Sequence, residues 1–288
     1  MSVFSSIGRG MATACRKPRV LLILYLVNLA VALLAAGPFY ALAKADLGHS
    51  LLGRNLQALD FVWLGELVYR YQNAAPAVSA WLLGSVLLYA VFSVFLSGGT
   101  IGRLLDTEGR TTARSFFSDC GRYFGRFLRL FLLALPCYVL ALGAVPAALS
   151  ALLGPMVENA RTAWTPFGVT LGGTALTLLA LSLVHMVFDY ARLRTVTEDD
   201  PSSLRALRAA LLFLRRRFFR GWGLYLFIAL GFLAGTGVAA ALAGLLPGES
   251  LFFVAVAVGG MQLFILFRLW TRMVFFAAQA DYYLSGHP

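Results

Sequence analysis

Six apolar segments, each longer than the roughly 20 residues that a helix needs to cross hydrocarbon, dominate this chain. They cover approximately residues 20–43, 78–102, 130–153, 167–189, 223–246 and a last segment that begins at 251. A soluble domain cannot coat such a surface, because hydrophobic residues make up 60% of the chain and charged residues only 13%. Since hydrocarbon offers the backbone no hydrogen-bond partner, the segments must be helices. The sequence therefore predicts an all-α polytopic transmembrane bundle of six spans, forming a single integral membrane domain over residues 1–288.

The charge distribution predicts how these spans are oriented. The formal net charge is +11, and the arginines concentrate at the ends of the apolar segments. Basic connections alternate along the chain with neutral or acidic ones. This alternation is typical of multi-pass membrane proteins, whose cytoplasmic loops carry an excess of Lys and Arg. It predicts that both termini are cytoplasmic and that anionic lipids at the cytoplasmic face are partners, and it argues against nucleic acid.

Basic amphipathic segments precede spans one, three and five. Before span five, apolar side chains recur with the period of one helix face, at Leu204, Leu207, Leu211, Leu214 and Phe218. Asp200 followed by Pro201 predicts the start of this helix. Such helices lie at the membrane surface with their basic groups at lipid phosphates. The arginines expected to bind anionic lipid are Arg122, Arg126, Arg129, Arg205, Arg208, Arg215, Arg216 and Arg220.

The layout also predicts an outer interfacial helix and a coarse repeat. Residues 44–77 combine helical spacing of leucines with Trp63, Tyr69 and Tyr71, aromatic residues that favour a membrane interface. The chain divides into possible units 1–102, 103–195 and 196–288, each an amphipathic segment followed by a two-span hairpin. Repeats occur in transporters, and a structural bundle can equally arise by duplication of a hairpin.

Small residues four positions apart predict where helices approach one another closely. Four such GxxxG pairs are present, at Gly98/Gly102, Gly121/Gly125, Gly168/Gly172 and Gly231/Gly235. Helix packing is the favoured interpretation of all four pairs. A flexible hinge at Gly98 and Gly99 is the alternative.

Polar residues within the spans are scarce, and one group of them is the candidate site. His185 and Asp189 are four residues apart and therefore share a helix face, as a structural hydrogen bond or a proton-transfer pair. Arg192, Arg268 and Arg272 lie towards the same membrane boundary. Residue counts from the outer ends of spans four and six place Asp189 and Arg272 at a similar depth. We therefore expect Asp189 to pair with Arg272 or Arg268, as a structural ion pair or as part of a functional polar cluster.

The chain lacks the sequence signatures of membrane enzymes. It has no GxSxG or HExxH motif and no acidic cluster suited to Mg²⁺. Its three cysteines have no metal-ligand spacing and are expected to be free thiols. The sequence thus assigns no catalytic residue, metal or cofactor. An intramembrane enzyme centred on His185 and Asp189 would need at least two polar side chains converging near His185.

Three short motifs resemble a known group of proteins. They are Ser115-Phe116-Phe117 through Gly121-Arg122-Tyr123-Phe124, Asp189-Tyr190-Ala191-Arg192, and Arg268-Leu269-Trp270-x-Arg272. The layout and these motifs resemble uncharacterised six-span bacterial inner-membrane proteins similar to the membrane domain attached to some glycerophosphodiester phosphodiesterases. The resemblance implies a multi-pass protein of the bacterial inner membrane that is linked to lipids. Because the soluble phosphodiesterase domain is absent, the resemblance implies no such activity.

Three classes of function follow from these patterns. The favoured class is a non-enzymatic integral inner-membrane protein with a role in envelope or lipid homeostasis or as a scaffold. The second is a transporter or flippase of an amphiphilic or lipid substrate, which a cavity between the spans would favour and a tightly packed bundle would exclude. The third is the intramembrane enzyme centred on His185 and Asp189. The sequence leaves open a membrane-protein partner or a homo-oligomer.

Overall fold

The computed structural model of the chain describes residues 3–47, 69, 75–106, 111–245 and 251–285. Its helices are α1 (Val3–Arg16), α2 (Pro18–Leu47), α3 (Ala75–Leu105), α4 (Ala113–Glu158), α5 (Trp164–Thr197), α6 (Ser203–Gly244) and α7 (Leu251–Leu284). The described residues contain no strand, and helices α2 to α7 are each long and apolar enough to cross a membrane. The all-α, six-span prediction is therefore confirmed. The predicted outer interfacial helix falls for the most part outside the described residues.

Helix α4 continues without a break through three prolines, Pro136, Pro146 and Pro155. It is α-helical over Ala113–Val139, passes through a π-helical turn at Leu140–Ala144, and is α-helical again over Val145–Glu158. Pro136 and Pro146 flank this turn. A proline ring clashes with the carbonyl four residues earlier and removes a backbone donor. The wider π turn lies between these two disruptions, and such turns are frequent at functional sites.

The three basic amphipathic segments differ in how they join the spans. Only α1 is a separate helix, divided from α2 at Lys17. The segment before span three is continuous with α4. The segment before span five is the first part of α6, which is interrupted at Arg217 by a non-helical backbone conformation (φ −133°, ψ 28°).

The start of α6 differs from the prediction by two residues. Ser202 is the N-cap, and its hydroxyl accepts a hydrogen bond from the backbone N–H of Arg205 at 3.4 Å. The Asp200 carboxylate instead accepts from the backbone N–H of Ser202 at 2.9 Å. Asp side chains commonly close a turn of this kind two residues on. The helix therefore begins after Asp200 and Pro201 rather than at them.

The buried core lies at one end of the bundle. We call this the basic end: it consists of α1, the first parts of α2, α4 and α6, and the last parts of α3, α5 and α7. The large side chains that are fully buried there include Val20, Leu24, Ile101, Phe116, Phe127, Leu193 and Met273. In the most apolar window of each span, by contrast, no more than 17% of residues are buried within the protein. Lipid tails solvate leucine as well as protein does, so only the segments that leave hydrocarbon are driven to bury it.

Helix α1 packs on the last part of α7. A Cβ atom added at Gly10 would lie only 2.8 Å from the Cβ atom of Ala278, so the two backbones are in close contact. The Arg9 guanidinium donates to both carboxylate oxygens of Asp281, at 2.7 and 2.8 Å. The predicted interfacial helix is thus a packed element of the basic end. It holds both termini at the same end of the bundle.

The glycine pairs have different environments. Cβ atoms added at Gly98 and Gly102 would meet α4 at 3.2 and 2.8 Å, and one added at Gly235 would meet the ring of Phe267 at 2.5 Å. Close packing is therefore confirmed at these positions. Among the described residues, nothing lies within 4 Å of a Cβ atom added at Gly231 or at either member of the pairs Gly121/Gly125 and Gly168/Gly172. The packing interpretation is therefore wrong within the described chain for those two pairs.

Candidate functional site

A polar cavity of 370 Å³ lies between α3, α5, α6 and α7, where these helices enter the basic end. All five residues of the predicted polar cluster line it, namely His185, Asp189, Arg192, Arg268 and Arg272. The remaining lining residues are Tyr89, Ser93, Tyr225, Phe232, Thr271, Phe275 and Phe276. The structure therefore unites on one cavity the groups that the sequence singled out on two separate spans.

One helix builds the acidic side of the cavity. The Asp189 side chain is only 4% exposed, and its carboxylate accepts a hydrogen bond from Arg192 Nη1 at 3.2 Å. His185 Nε2 lies 3.5 Å from the other carboxylate oxygen. The spacings of three and four residues place all three side chains on one face of α5. The predicted stacking of His185 on Asp189 is confirmed.

The direct ion pair predicted between Asp189 and an arginine of α7 is wrong. Within the described residues, the Asp189 carboxylate pairs with Arg192 and His185. Arg272 instead donates from Nη2 to the hydroxyl of Ser93 on α3 at 3.1 Å. The depth estimate was sound, since Arg268 and Arg272 line the same cavity as Asp189. Arg192, three residues along the same helix, forms the ion pair instead, because helical geometry alone brings it next to the Asp189 carboxylate.

Tyr138 belongs to this site and was missed from the sequence. Its hydroxyl lies 2.9 Å from Nδ1 of His185, so α4 is tied to α5 beside the cavity. The Tyr225 ring meets the imidazole edge to face, with ring centroids 6.1 Å apart. Residue counts could have found Tyr138, since it lies 20 residues before Glu158 at the far end of α4, and His185 lies 18 after Phe167. Tyr138 and Asp189 together fix the orientation of the imidazole and could exchange a proton through it.

The convergence of polar groups that an intramembrane enzyme would require near His185 is therefore present. Tyr138 and Asp189 engage the two ring nitrogens of His185. The described residues also hold no group of three His, Cys, Asp or Glu side chains that could bind a metal ion. The cysteines are free, as expected.

The cavity carries more positive charge than its own residues neutralise. Three guanidinium groups face one carboxylate, an excess of two positive charges when the imidazole is neutral. Nε of Arg192 is buried and has no hydrogen-bond partner among the described residues. Arg268 forms no ion pair or hydrogen bond with any described residue. Charged groups at membrane depth are costly unless they are paired. The arrangement is thus suited to binding an anion.

The cavity lies at the depth of lipid head groups. Trp164 and Phe167, aromatic residues that favour an interface, mark the start of α5 at the opposite end of the bundle. Asp189 follows Phe167 by 22 residues, a rise of about 33 Å in an α-helix. The hydrocarbon layer is about 30 Å thick. Arg192 and Arg272 therefore reach the level of the phosphates of the leaflet at the basic end, whereas Arg268, 17 residues after Leu251, lies about one turn closer to the middle of the membrane.

Half of the arginines expected to bind lipid have partners within the protein. Arg122 and Arg126 donate to the carboxylate of Asp199 at 2.8 and 2.6 Å. Hydrogen bonds from Arg126 and Arg122 hold the pKa of Asp199 below its ordinary value. Arg129 donates from Nε to a backbone carbonyl on its own helix at 3.2 Å, and Arg205 pairs with Asp200 at the same distance. Arg122 and Arg126 thereby join α4 to the connection between α5 and α6, whereas the contacts of Arg129 and Arg205 are local.

The other four arginines of that set, Arg208, Arg215, Arg216 and Arg220, are exposed and have no ion pair among the described residues. The predicted apolar face of this segment is wrong in part. Ala206, Ala210 and Leu214 are buried against the bundle, whereas Leu204 and Leu211 are 66% and 50% exposed. Small side chains allow close packing on one face of the segment. Leu204 and Leu211 therefore lie on the outside together with the four exposed arginines.

The two polar amides of the spans behave differently from each other. The Gln262 side-chain oxygen accepts a hydrogen bond from the Tyr25 hydroxyl at 2.8 Å, which joins α7 to α2. Asn28 donates to the backbone carbonyl of Leu24 on its own helix at 2.7 Å. Gln262 therefore forms a hydrogen bond between helices, whereas the hydrogen bond of Asn28 stays within its own helix.

No family model, no curated protein and no solved structure matches the chain. The inference about function therefore rests on the residues of the cavity.

Proposed function

We propose that the protein is a non-enzymatic, multi-pass protein of the bacterial inner membrane that binds an anionic lipid in envelope or lipid homeostasis. Arg192, Arg268 and Arg272 hold the phosphate of the head group. The observation that carries this proposal is the cavity itself, in which three guanidinium groups face a single carboxylate. A pure scaffold would have no use for this excess of charge.

The chemistry of the three side chains suits a lipid phosphate. A guanidinium group binds phosphate through two parallel N–H donors and keeps its charge in any environment. Arg272 uses one of its N–H donors in the hydrogen bond to Ser93. Nε of Arg192 is buried without a hydrogen-bond acceptor among the described residues. A phosphate in the cavity would supply the missing acceptors. The depth of the cavity places these donors where a phospholipid of that leaflet carries its phosphate.

The resemblance noted in the sequence supports the same proposal. Two of its three motifs supply Asp189, Arg192, Arg268 and Arg272, which line the cavity. The membrane domains that they resemble are attached to enzymes that act on glycerophosphodiesters, which are the head-group portions of lipids. This supports a lipid as the ligand rather than a soluble anion.

Movement of a lipid is the second candidate function. The spans bury little of their apolar surface outside the basic end, and a 640 Å³ groove separates parts of α4 and α5. A tightly packed bundle would have opposed a transporter or flippase. The cavities between the spans favour one, with the polar cavity as the binding site for its substrate.

Both termini are proposed to be cytoplasmic, since the basic end carries most of the arginines. We expect a single cysteine at Glu158 (Glu158→Cys), in a background without the native cysteines, to react with a membrane-impermeant maleimide in intact cells. We expect Arg208→Cys to react only after permeabilisation. Arg208 is a suitable position because it is exposed and has no ion pair among the described residues. Labelling of Arg208→Cys in intact cells would reverse the proposed orientation.

Removal of the two α7 arginines tests the lipid site. We expect Arg268→Gln/Arg272→Gln to bind phosphatidylglycerol at least tenfold more weakly than the unchanged protein. Each lost charge-assisted hydrogen bond costs about 1.5–3 kcal/mol, and 1.4 kcal/mol corresponds to a factor of ten. Binding is measured by native mass spectrometry of the purified protein titrated with phosphatidylglycerol or with phosphatidylcholine.

The matched control is Arg16→Gln/Arg114→Gln, which removes the same charge from exposed positions of α1 and α4 that are not among the arginines expected to bind lipid. We expect this variant to keep the affinity and selectivity of the unchanged protein. Equal losses in the two double variants would show that only overall charge matters and would contradict a site in the cavity.

A further inference from the structure

A second, larger cavity runs along the outer part of the α4–α5 pair. This groove has a volume of 640 Å³. Helix α4 lines it with Leu142, Pro146, Leu149, Ser150, Gly154, Val157 and Glu158, and α5 with Val169, Thr170, Gly173, Thr174, Thr177, Leu178 and Leu181. It begins beside the π turn of α4 and extends to the end of that helix opposite the basic end.

The groove and the polar cavity adjoin along α5. Gly173, Thr177, Leu181, His185 and Asp189 follow one another at steps of four residues, which places them in a single row that winds slowly around the helix. The first three line the groove and the last two line the polar cavity. The two cavities therefore follow one another along this helix, one turn apart.

The hydrogen bond between Tyr138 and His185 lies at their junction. Leu142 and Leu181, at the inner end of the groove, are each four residues from one member of this pair. A ligand that extends from the polar cavity into the groove would pass beside the bond.

The groove is chemically suited to a hydrocarbon chain. The hydroxyls of Thr174 and Thr177 donate to backbone carbonyls of their own helix at 2.8 and 2.9 Å. These side chains can therefore turn their methyl groups to the groove, beside leucine, valine and proline. A cavity with so few free polar partners holds water poorly. From Val169 to Leu181 the α5 side of the groove rises about 18 Å, more than half of the hydrocarbon thickness.

We propose that the α4–α5 groove binds an acyl chain of the same anionic lipid whose phosphate lies in the polar cavity. This inference rests on the proposed function. It specifies the ligand as a long-chain anionic phospholipid, with its head group towards the basic end and a chain directed along α5 towards the middle of the bilayer. Contacts between the acyl chain and the groove, and between the head-group phosphate and the arginines, both contribute to affinity.

Filling the groove tests this inference separately from the head-group site. Gly154 lines the groove, and among the described residues nothing lies within 4 Å of a Cβ atom added there, so the side chain of Gly154→Leu can enter the groove without a collision at its first carbon. Gly172→Leu is the matched control, because Gly172 also has open space around it and does not line the groove. Thr174→Leu narrows the groove from the α5 side and serves as a second filling variant.

The ligands are dioleoyl phosphatidylglycerol and its dihexanoyl analogue, titrated into the full-length purified protein. We expect the unchanged protein to bind the long-chain lipid more tightly. We expect Gly154→Leu and Thr174→Leu to lose at least tenfold in affinity for the long-chain lipid while affinity for the dihexanoyl lipid stays within a factor of two. Gly172→Leu should leave both affinities unchanged.

The outcomes separate the two proposals. If the unchanged protein binds neither lipid in preference to phosphatidylcholine, the proposed function itself is wrong. If it binds anionic lipid but the filling variants match the Gly172→Leu control, or weaken both chain lengths equally, the groove does not hold the chain. In that case the head-group site stands and this inference is overturned.

Discussion

Asp189→Asn is expected to destabilise the protein by about 3–5 kcal/mol, the usual cost of removing one partner of a buried ion pair. The Asp189 carboxylate is 4% exposed and neutralises the Arg192 side chain, which is 11% exposed. Its loss leaves three guanidinium groups around one cavity with no carboxylate among the residues that line it. The change is measured as the free energy of unfolding in detergent micelles, followed by tryptophan fluorescence.

A double-mutant cycle identifies the partner of Asp189. We expect Arg192→Gln to remove most of the cost of Asp189→Asn, so that the two changes are coupled by more than 1 kcal/mol. Arg208→Gln is the control, since Arg208 is exposed, lies outside the cavity and has no ion pair among the described residues. Its effect should add to that of Asp189→Asn within about 0.5 kcal/mol. Additive losses with Arg192 would contradict the pairing seen in the structure.

Gly99→Leu is the second change with a large expected effect, a destabilisation of about 3 kcal/mol or more. A Cβ atom at Gly99 would lie 2.5 Å from Sγ of Cys120 and 2.7 Å from the backbone oxygen of Phe116. Neither the buried sulfur nor the backbone of α4 can move away freely, and overpacking of a tight core costs about 1–3 kcal/mol even where it can relax. We expect a lower melting temperature and a lower yield of monodisperse protein in size-exclusion chromatography.

Gly121→Leu is the matched control on the helix that faces Gly99. A Cβ atom at Gly121 meets nothing within 4 Å. Replacing a glycine inside a helix stabilises it by about 0.5–1 kcal/mol when the new side chain has room. The two substitutions should therefore act in opposite directions. A similar loss of stability in both would mean that helix-interior glycine, rather than the α3–α4 contact, is the sensitive feature.

These two contacts act on different parts of the fold. The Gly99 contact holds α3 against α4 within the basic end, where most buried side chains lie. The ion pair of Asp189 and Arg192 orients the groups at the boundary between that core and the spans. Loss of the first should prevent the core from assembling. Loss of the Asp189–Arg192 ion pair should change the charge of the cavity, and therefore the affinity for an anion, in the fraction of the protein that still folds.

The sequence determined the number of spans, the helical content and the residues of the polar cluster. The bilayer acts as a solvent of fixed thickness, so the lengths of apolar segments count the helices directly. Groups on one helix are also determined locally, because steps of three and four residues place His185, Asp189 and Arg192 on one face. Residue counts from the outer ends give depth, and they placed Arg272 level with Asp189, in agreement with the position of both residues on one cavity.

Only the tertiary structure decided which helices are neighbours and which face each one turns inward. That is why Tyr138 was missed as the partner of His185, and why Ala206 and Ala210 proved to be buried in the first part of α6 while Leu204 and Leu211 are exposed. In water an apolar face must turn inward, but hydrocarbon accepts leucine as readily as protein does. The apolar pattern of a span therefore fixes its length and leaves its rotation to close packing, polar contacts and the core at the basic end.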